Sequence, residues 1–402
     1  MTTNVAVGTF TTNTGLGNQS ISSLGFTPKV FIVWGTNLTA ETTTLGMGLG
    51  MGAYDGTNQW GTMWRVDGDS QGATSESTDT SLGEIFLHSS AFSVFRYSAV
   101  SLDVDGFTIN IDLNTNSAAY LVNWMAIGGD GVQAAVGFAD IDLDAVTGLA
   151  FQPDLVMTSF IYGDPAVFEQ HSSVWGMGAA INPTDSWAAG WTGGFFGNNT
   201  NIGSNLLTGK FINAIYNNAA LKNIALDAMT TDGFSWTDAD VRWFGYVAIK
   251  CDVGIDVGIF QKTTGAAPAT QALPDLGFTP QAYMLLSCME TNETTYNGGK
   301  KVMLGAFDGT NAWQYAGHKE ASATYNGDSF TDNNGDVLTL AGVDASKDSV
   351  GAPQAMVDST PEIIWDPNVA TAFDIAYIAF GENAAPGGGP PINTLSMMGA
   401  GV

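Results

Sequence analysis

Basic residues are scarce. Only 12 Lys and Arg stand against 39 Asp and Glu in 402 residues, a net charge of −27 at pH 7. A surface of that sign repels phosphate backbones and anionic headgroups, so neither nucleic acid nor a membrane surface is an expected partner. Charge of either sign is thin, at 13% of residues against roughly 25% in ordinary globular chains. Two cysteines, Cys251 and Cys288, make no disulfide framework in a chain this long. Both sit at the ends of apolar stretches and are expected as buried thiols. The three histidines, His88, His171 and His318, have no metal-ligand spacing to one another. There is no G-x-S-x-G elbow, and no P-loop or dinucleotide fingerprint in the right context. The chain is therefore read as non-enzymatic and without a catalytic cofactor. No run of 18 apolar residues predicts a membrane helix. The opening MTTNVAVGTF has neither a basic n-region nor an apolar core, so no signal peptide is expected. Convincing helical periodicity with end caps is also missing.

What is present is glycine (50 residues), aromatics (11%) and an apolar share of 45%, enough for substantial cores. Glycine, Asn and Thr alternating with aromatics predict many short strands and tight turns. The chain also repeats itself. "LGFTPKVFIVW" from Leu24 returns as "LAFQPDLVMTSF" from Leu149 and "LGFTPQAYMLL" from Leu276, so Pro28, Pro153 and Pro280 are equivalent. "GAYDGTNQW" (Gly52 to Trp60) returns as "GAAINPTDSW" (Gly178 to Trp187) and "GAFDGTNAW" (Gly305 to Trp313). The expectation is an all-β chain of three tandem antiparallel β-sandwiches from an internal triplication, at 1–132, 133–254 and 255–383, followed by a Pro/Gly linker and apolar tail at 384–402. Asp-Gly and Asn in the repeated stretch are turn chemistry, and the Trp that follows is expected on a core or a seam between units. "FTINIDL" alternates, with Phe107, Ile109, Ile111 and Leu113 facing a core and Thr108, Asn110 and Asp112 facing water. "VFIVW" (Val30 to Trp34) is apolar throughout, as in a strand covered on both faces. Each unit is expected to hold six or seven strands and to close with a hairpin-like pair, in the first unit "DGFTINIDL" with "YLVNWMAIGG".

The order Phe26, Pro28, then Gly106 and Phe107, then Trp124, Ala126, Ile127 and Gly128 resembles H-type lectin domains. That resemblance implies small six-stranded antiparallel sandwiches. The sugar-contacting residues of that family have no counterparts that carry over. Acidic sandwiches in tandem, rich in Gly, Asn and Thr and lacking an export signal, also resemble structural proteins of tailed-phage virions. The resemblance implies a virion localisation, with other virion proteins and further copies of the chain as partners. Within it, a tail-tip or fibre adhesin or scaffold stands beside a capsid decoration protein. A soluble glycan-binding lectin is the reading from a different class.

Recognition is expected in variable stretches at one topological place in each unit: Val66 to Ser81, Gly190 to Asn205 and His318 to Asp336. The candidate contacts are Trp191, Phe195, Phe196, Asn198, Tyr325 and Asp69, where aromatics beside Asn and Gly suit stacking on a glycan or a protein contact. The alternative is that those rings pack on a neighbouring unit. Asp140, Asp142 and Asp144 alternate and in an extended segment would share one side, which suits Ca²⁺; the alternative is a solvated strand face. Behind the flexible tether, Ile392, Leu395, Met397 and Met398 form a candidate docking segment for another subunit, or one that folds back on the third unit.

Overall fold

The computed structural model describes residues 2–41, 44–45, 47–66, 74–79, 82–86, 93–140, 143–161, 174–192, 203–216, 219–237, 243–291, 299–320, 328–332, 335–341 and 347–382. Among these, all regular elements are strands apart from a single helical-turn residue, and all pairings are antiparallel. The first third of the chain contributes β1 (Asn4–Thr11), β2 (Gly17–Ser22), β3 (Pro28–Thr36), β4 (Thr44–Leu45), β5 (Met47–Tyr54), β6 (Gln59–Val66), β7 (Thr74–Asp79), β8 (Gly83–Phe86), β9 (Ser93–Asp103), β10 (Gly106–Asn114) and β11 (Leu121–Gly128). The second contributes β12 (Gln133–Asp140), β13 (Ala145–Val146), β14 (Leu155–Ile161), β15 (Val174–Ala180), β16 (Ser186–Thr192), β17 (Gly203–Thr208), β18 (Ile212–Tyr216), β19 (Ala219–Ile224), β20 (Leu226–Thr230), β21 (Gly233–Trp236) and β22 (Trp243–Lys250). The last contributes β23 (Ile255–Gln261), β24 (Ala269–Ala272), β25 (Pro280–Ser287), β26 (Gly299–Phe307), β27 (Ala312–Glu320), β28 (Asp328–Asp332), β29 (Leu338–Ala341), β30 (Lys347–Pro353), β31 (Glu362–Trp365) and β32 (Asp374–Gly381).

Three large sheets run β1-β11-β3-β5-β6-β7, β12-β22-β14-β15-β16-β17 and β23-β32-β25-β26-β27-β28, the last extended by β4 from the first third. In each, the first and last strands of that third pair with each other, and the strand behind the proline is central. Small sheets accompany them: β2-β10-β9-β8, then β13-β21-β20 with the separate pair β18-β19, then β24-β31-β30-β29.

The central strands explain the layering. Every residue from Val30 to Trp34 is fully buried, and successive side chains point to opposite faces. Phe31 and Val33 pack with Phe107, Ile109 and Ile111 of the first small sheet. Val30, Ile32 and Trp34 enter a core shared with Leu155, Met157 and Ile161 of β14 and with Ala282, Met284 and Leu286 of β25. The inner faces of the three large sheets thus meet in one apolar centre, and each outer face has its own core beneath a small sheet. Each fully buried large apolar side chain contributes about 1.5–3 kcal/mol.

Glycine recurs where the edge strands need it. Gly8, Gly137 and Gly258 lie opposite Trp124, Tyr246 and Tyr377, and each ring covers its glycine so closely that a Cβ would lie 2.6–2.8 Å from it. An aromatic laid over a cross-strand glycine restores the packing the missing side chain forfeits.

Two expectations are corrected. β10 and β11 are not a hairpin: β10 pairs with β9 and β2 in the small sheet, while β11 lies between β1 and β3 in the large one. The chain crosses between layers there, because β10 is wet on one face and β11 is buried on both. Among the described residues the thirds also hold ten or eleven strands each, not six or seven, since short segments such as β4 and β13 pair too. Alternation along β10 holds except at Thr108, buried through hydrogen bonds with Ser20 and Asp103. Cys288 is buried and Cys251 half-buried, and neither is in a disulfide.

Candidate functional site

The repeated stretch that ends in tryptophan is where the large sheets join. Asp55 accepts the backbone N–H of Thr57 and Asn58 on Oδ1 at 2.8 and 2.7 Å, and Gly56 takes φ 94°. Asp308 does the same for Thr310 and Asn311, with Gly309 at φ 87°. Positive φ is the reason glycine follows each aspartate. The second carboxylate oxygen of each turn reaches another third of the chain. Asp55 Oδ2 accepts the Val136 N–H of β12 at 2.8 Å, and Asp308 Oδ2 accepts the Val7 N–H of β1 at 3.0 Å. β1 and β12 are outermost strands of their sheets, so these carboxylates cap edge N–H groups that would otherwise invite another strand. Gln281 Oε1 caps Val5 N–H beside the Asp308 contact, at 3.2 Å.

The tryptophans complete the seams. Trp60 Nε1 donates to Tyr246 O at 2.9 Å, Trp187 Nε1 to Tyr377 O at 2.9 Å, and Trp313 Nε1 to Trp124 O at 3.1 Å. All three indoles are fully buried in the shared centre. Donor and acceptor occupy the same strand positions each time, so the contacts run first to second, second to third and third back to first. Further contacts fill in around them: Thr62 Oγ1 meets Ser159 Oγ at 2.6 Å, and β4 pairs with β28.

The middle seam is built differently. Asn182 stands where the other turns have aspartate, and its Oδ1 takes Thr184 N–H and Asp185 N–H at 2.8 Å while its amide donates to Asp185. Its side chain is spent on its own turn. On the facing edge strand β23, Val257 N–H is taken up by the neighbouring Asp256 carboxyl, which also accepts the Tyr377 hydroxyl at 2.8 Å. Burial raises the Asp256 pKa above its ordinary value, the hydrogen bonds oppose the rise, and the charge of Asp185 adds to it. Burial, followed by the Asp256 contact, likewise raises Tyr377 well above the ordinary tyrosine range. A carboxyl whose pKa is raised by folding favours the fold below its unfolded pKa, and that advantage is lost as pH rises through the folded value. Asp256→Asn is therefore expected to melt slightly higher than the parent chain at pH 7, with the gap closing near pH 4. Paired thermal melts check this, and a lower melting point for the variant at pH 7 contradicts it.

Two clefts flank these seams. One of about 620 Å³ lies between β1, the Ser22–Phe26 corner, Trp124 and the Asp308–Asn311 turn. The other, of about 690 Å³, lies at the middle seam between Pro153, the Ile181–Pro183 turn, Met229 and the Cys251–Ile255 junction. Burial pushes the Cys251 thiol up to about 11 and Cys288 well above its ordinary value, so neither is poised as a nucleophile. Among the described residues, no group of three or more His, Cys, Asp or Glu is placed to hold a metal ion.

Trp191 follows the alternative reading, a ring packed on a neighbouring unit. It is not a loop ligand: it lies within β16, fully buried, stacked on Trp175 at 4.7 Å, with Nε1 donating to Lys301 O at 2.8 Å. The glycines around it pointed to a loop, but β16 runs through Gly190 and Trp191 to Thr192. Phe195, Phe196, Asn198, Tyr325, Asp69, Asp142, Ile392, Leu395, Met397 and Met398 lie outside the described residues. Asp140 ends β12, and Asp144 is exposed with φ 56°, so the extended run that would align the three aspartates does not reach Asp144. Sequence reasoning missed the edge-capping role of Asp55 and Asp308 and the acceptors Trp124, Tyr246 and Tyr377. The signal was there as an aromatic two residues before an alanine in each final strand: Trp124 and Ala126, Tyr246 and Ala248, Tyr377 and Ala379.

No protein family model and no curated protein matches the chain. Among solved structures, a weak likeness is found to OmpT (in-vitro folded), an outer membrane protein of Vibrio cholerae in its trimer form. It is 12% identical, covers 94% of this chain and 99% of that one, and has a TM-score of 0.08, which carries no argument about fold or function.

Proposed function

We propose that the chain is a non-enzymatic structural protein of a tailed-phage virion, in which one ancestral β-sandwich was triplicated and its copies close on one another as a trimer within a single chain. The copies span 1–132, 133–254 and 255–383. The observation that carries this reading is the threefold recurrence of the buried indole-to-carbonyl bond, from Trp60, Trp187 and Trp313, in cyclic order. Supporting it, the large sheets share one strand order, Pro28, Pro153 and Pro280 are each buried at or just before the start of a central strand, and β12 and β23 begin at 133 and 255. A head-to-tail ring of three is the contact pattern of a cyclic trimer.

Such a hub suits a tail tip or fibre, where it scaffolds or presents recognition loops. The strand ends that bound the variable stretches, Val66 and Thr74, Thr192 and Gly203, Glu320 and Asp328, are corresponding ends of corresponding strands. Ring closure also suits a capsid decoration protein seated on a threefold position. In both cases the partners are virion proteins, a host-surface glycan is a candidate ligand of the loops, and no catalytic cofactor is called for. Ca²⁺ on the Asp140, Asp142 and Asp144 run is tested by equilibrium dialysis, where no detectable binding removes it.

The test is mass spectrometry and electron microscopy of purified particles from the source phage. The chain is expected in stoichiometric amounts at the tail tip or fibre. Density on the head selects the decoration reading. Absence from particles together with hits on a glycan array selects the free lectin and overturns the proposal.

A further inference from the structure

The middle seam holds a groove of about 690 Å³. Its walls are Pro153, Ile181, Pro183, Met229, Val253 and Ile255, with Asp154 and Asp227 on the rim. The turn beside it differs from its two counterparts. Asp55 and Asp308 spend one oxygen on the facing edge strand, whereas Asn182 turns inward on Asp185 and is followed by Pro183, which has no N–H to give.

The chain beyond the described residues starts beside this groove. Gly381 N–H donates to Gly254 O at 2.7 Å and Glu382 N–H to Thr279 O at 2.8 Å, and Gly254 lies between the wall residues Val253 and Ile255. Residues 384–391 are Ala, Pro, Gly and Asn-free tether, and 384–402 hold no charged side chain to oppose an acidic rim. At about 3.1 Å per residue for an extended Pro-rich tether, the dozen or so residues to Leu395 span roughly 40 Å of contour, ample for a turn back onto a wall that begins one residue from the tether's anchor. Tethering makes the local concentration of the tail millimolar, and Met side chains fill irregular apolar gaps well.

We infer that the middle-seam groove is the docking site of the chain's own tail, with Leu395 to Met398 seated in cis against Ile181, Pro183, Met229 and Val253. It does not rest on the proposed function, and takes from the sequence only the reading of 384–402 as a docking segment. Its tests use the isolated chain, so it stands or falls separately from any result on particles.

Cys251 lines the groove and is half-buried, while Cys288 is fully buried, so alkylation of Cys251 reports on coverage. In the full chain carrying Leu395→Asp and Met398→Asp, Cys251 is expected to react with iodoacetamide at least three times faster than in the parent at the same pH, and the parent rate is expected to be independent of protein concentration. Equal rates overturn the inference, and protection that disappears on dilution assigns the groove to a second copy's tail and overturns the cis assignment. A photo-crosslinking amino acid at Met398 gives the second measurement. Crosslinks to peptides containing 181–183, 227–229 or 251–255 within the monomer band are expected; crosslinks elsewhere, or only between chains, contradict it.

Discussion

Trp187→Ala is expected to lower the stability of the chain by about 4–6 kcal/mol. Truncating a fully buried tryptophan costs about 3–5 kcal/mol in lost burial and residual cavity. Trp187 is fully buried in the apolar centre shared by all three large sheets. Its indole also donates to the backbone carbonyl of Tyr377, and losing that bond adds about 1 kcal/mol. Native proteins hold only about 5–15 kcal/mol in all, so this one change takes a large share of the total. Trp187→Phe keeps a ring in the cavity and loses the N–H, and is expected to cost about 1–3 kcal/mol. Urea denaturation of the two variants separates the packing from the hydrogen bond. A Trp187→Ala chain within 1 kcal/mol of the parent would mean that the seam is not packed as described.

The second large effect needs only one added methyl group. A Cβ on Gly305 would lie 1.7 Å from Val337 O; on Gly52 it would lie 1.9 Å from Leu82 O, and on Gly178 2.1 Å from Phe211 O. At each place the strand that crosses to the small sheet touches the glycine-rich strand of the large sheet. The obstacle is backbone, and it is held: Val337 N–H donates to Gly351 O at 2.8 Å, and Leu82 N–H to Tyr97 O at 3.0 Å. The layers must separate to admit the methyl group, so Gly305→Ala is expected to cost at least about 3 kcal/mol, the upper range for overpacking. Gly15→Ala is the control, because nothing lies within 4 Å of the added carbon. Its melting curve is expected to match the parent within about 0.5 kcal/mol. Similar losses for the two variants would mean that glycine is wanted for chain flexibility, not for close approach.

Strand chemistry was legible in the sequence because it is local. Continuous apolarity marked Val30 to Trp34, alternation marked Phe107 to Ile111, and Asp-Gly marked the two turns with positive φ. Layer assignment was not legible. Whether β10 pairs with β11 or crosses away from it depends on which sheet each strand joins, and both "DGFTINIDL" and "YLVNWMAIGG" read as strands either way. The seams were half legible: a repeated tryptophan pointed to packing between units, but its acceptors are carbonyls, which carry no side-chain signature. For Trp191 a loop contact and packing on a neighbouring unit were not separable for the same kind of reason: Gly190 and the Gly pair at 193–194 signal a loop, while the burial that makes it core comes from Trp175 and Lys301, far off in sequence.

The claim beneath all of this is that the third sheet returns to the first and closes the ring. Val7 and Asp308 are 301 positions apart and meet at 3.0 Å across that last seam. With Cys251 replaced by alanine, the pair Val7→Cys and Asp308→Cys should oxidise to a disulfide within one chain, seen as a faster-running monomer on a non-reducing gel. Thiols that stay free, or disulfides that form only between chains, would show that the ring does not close.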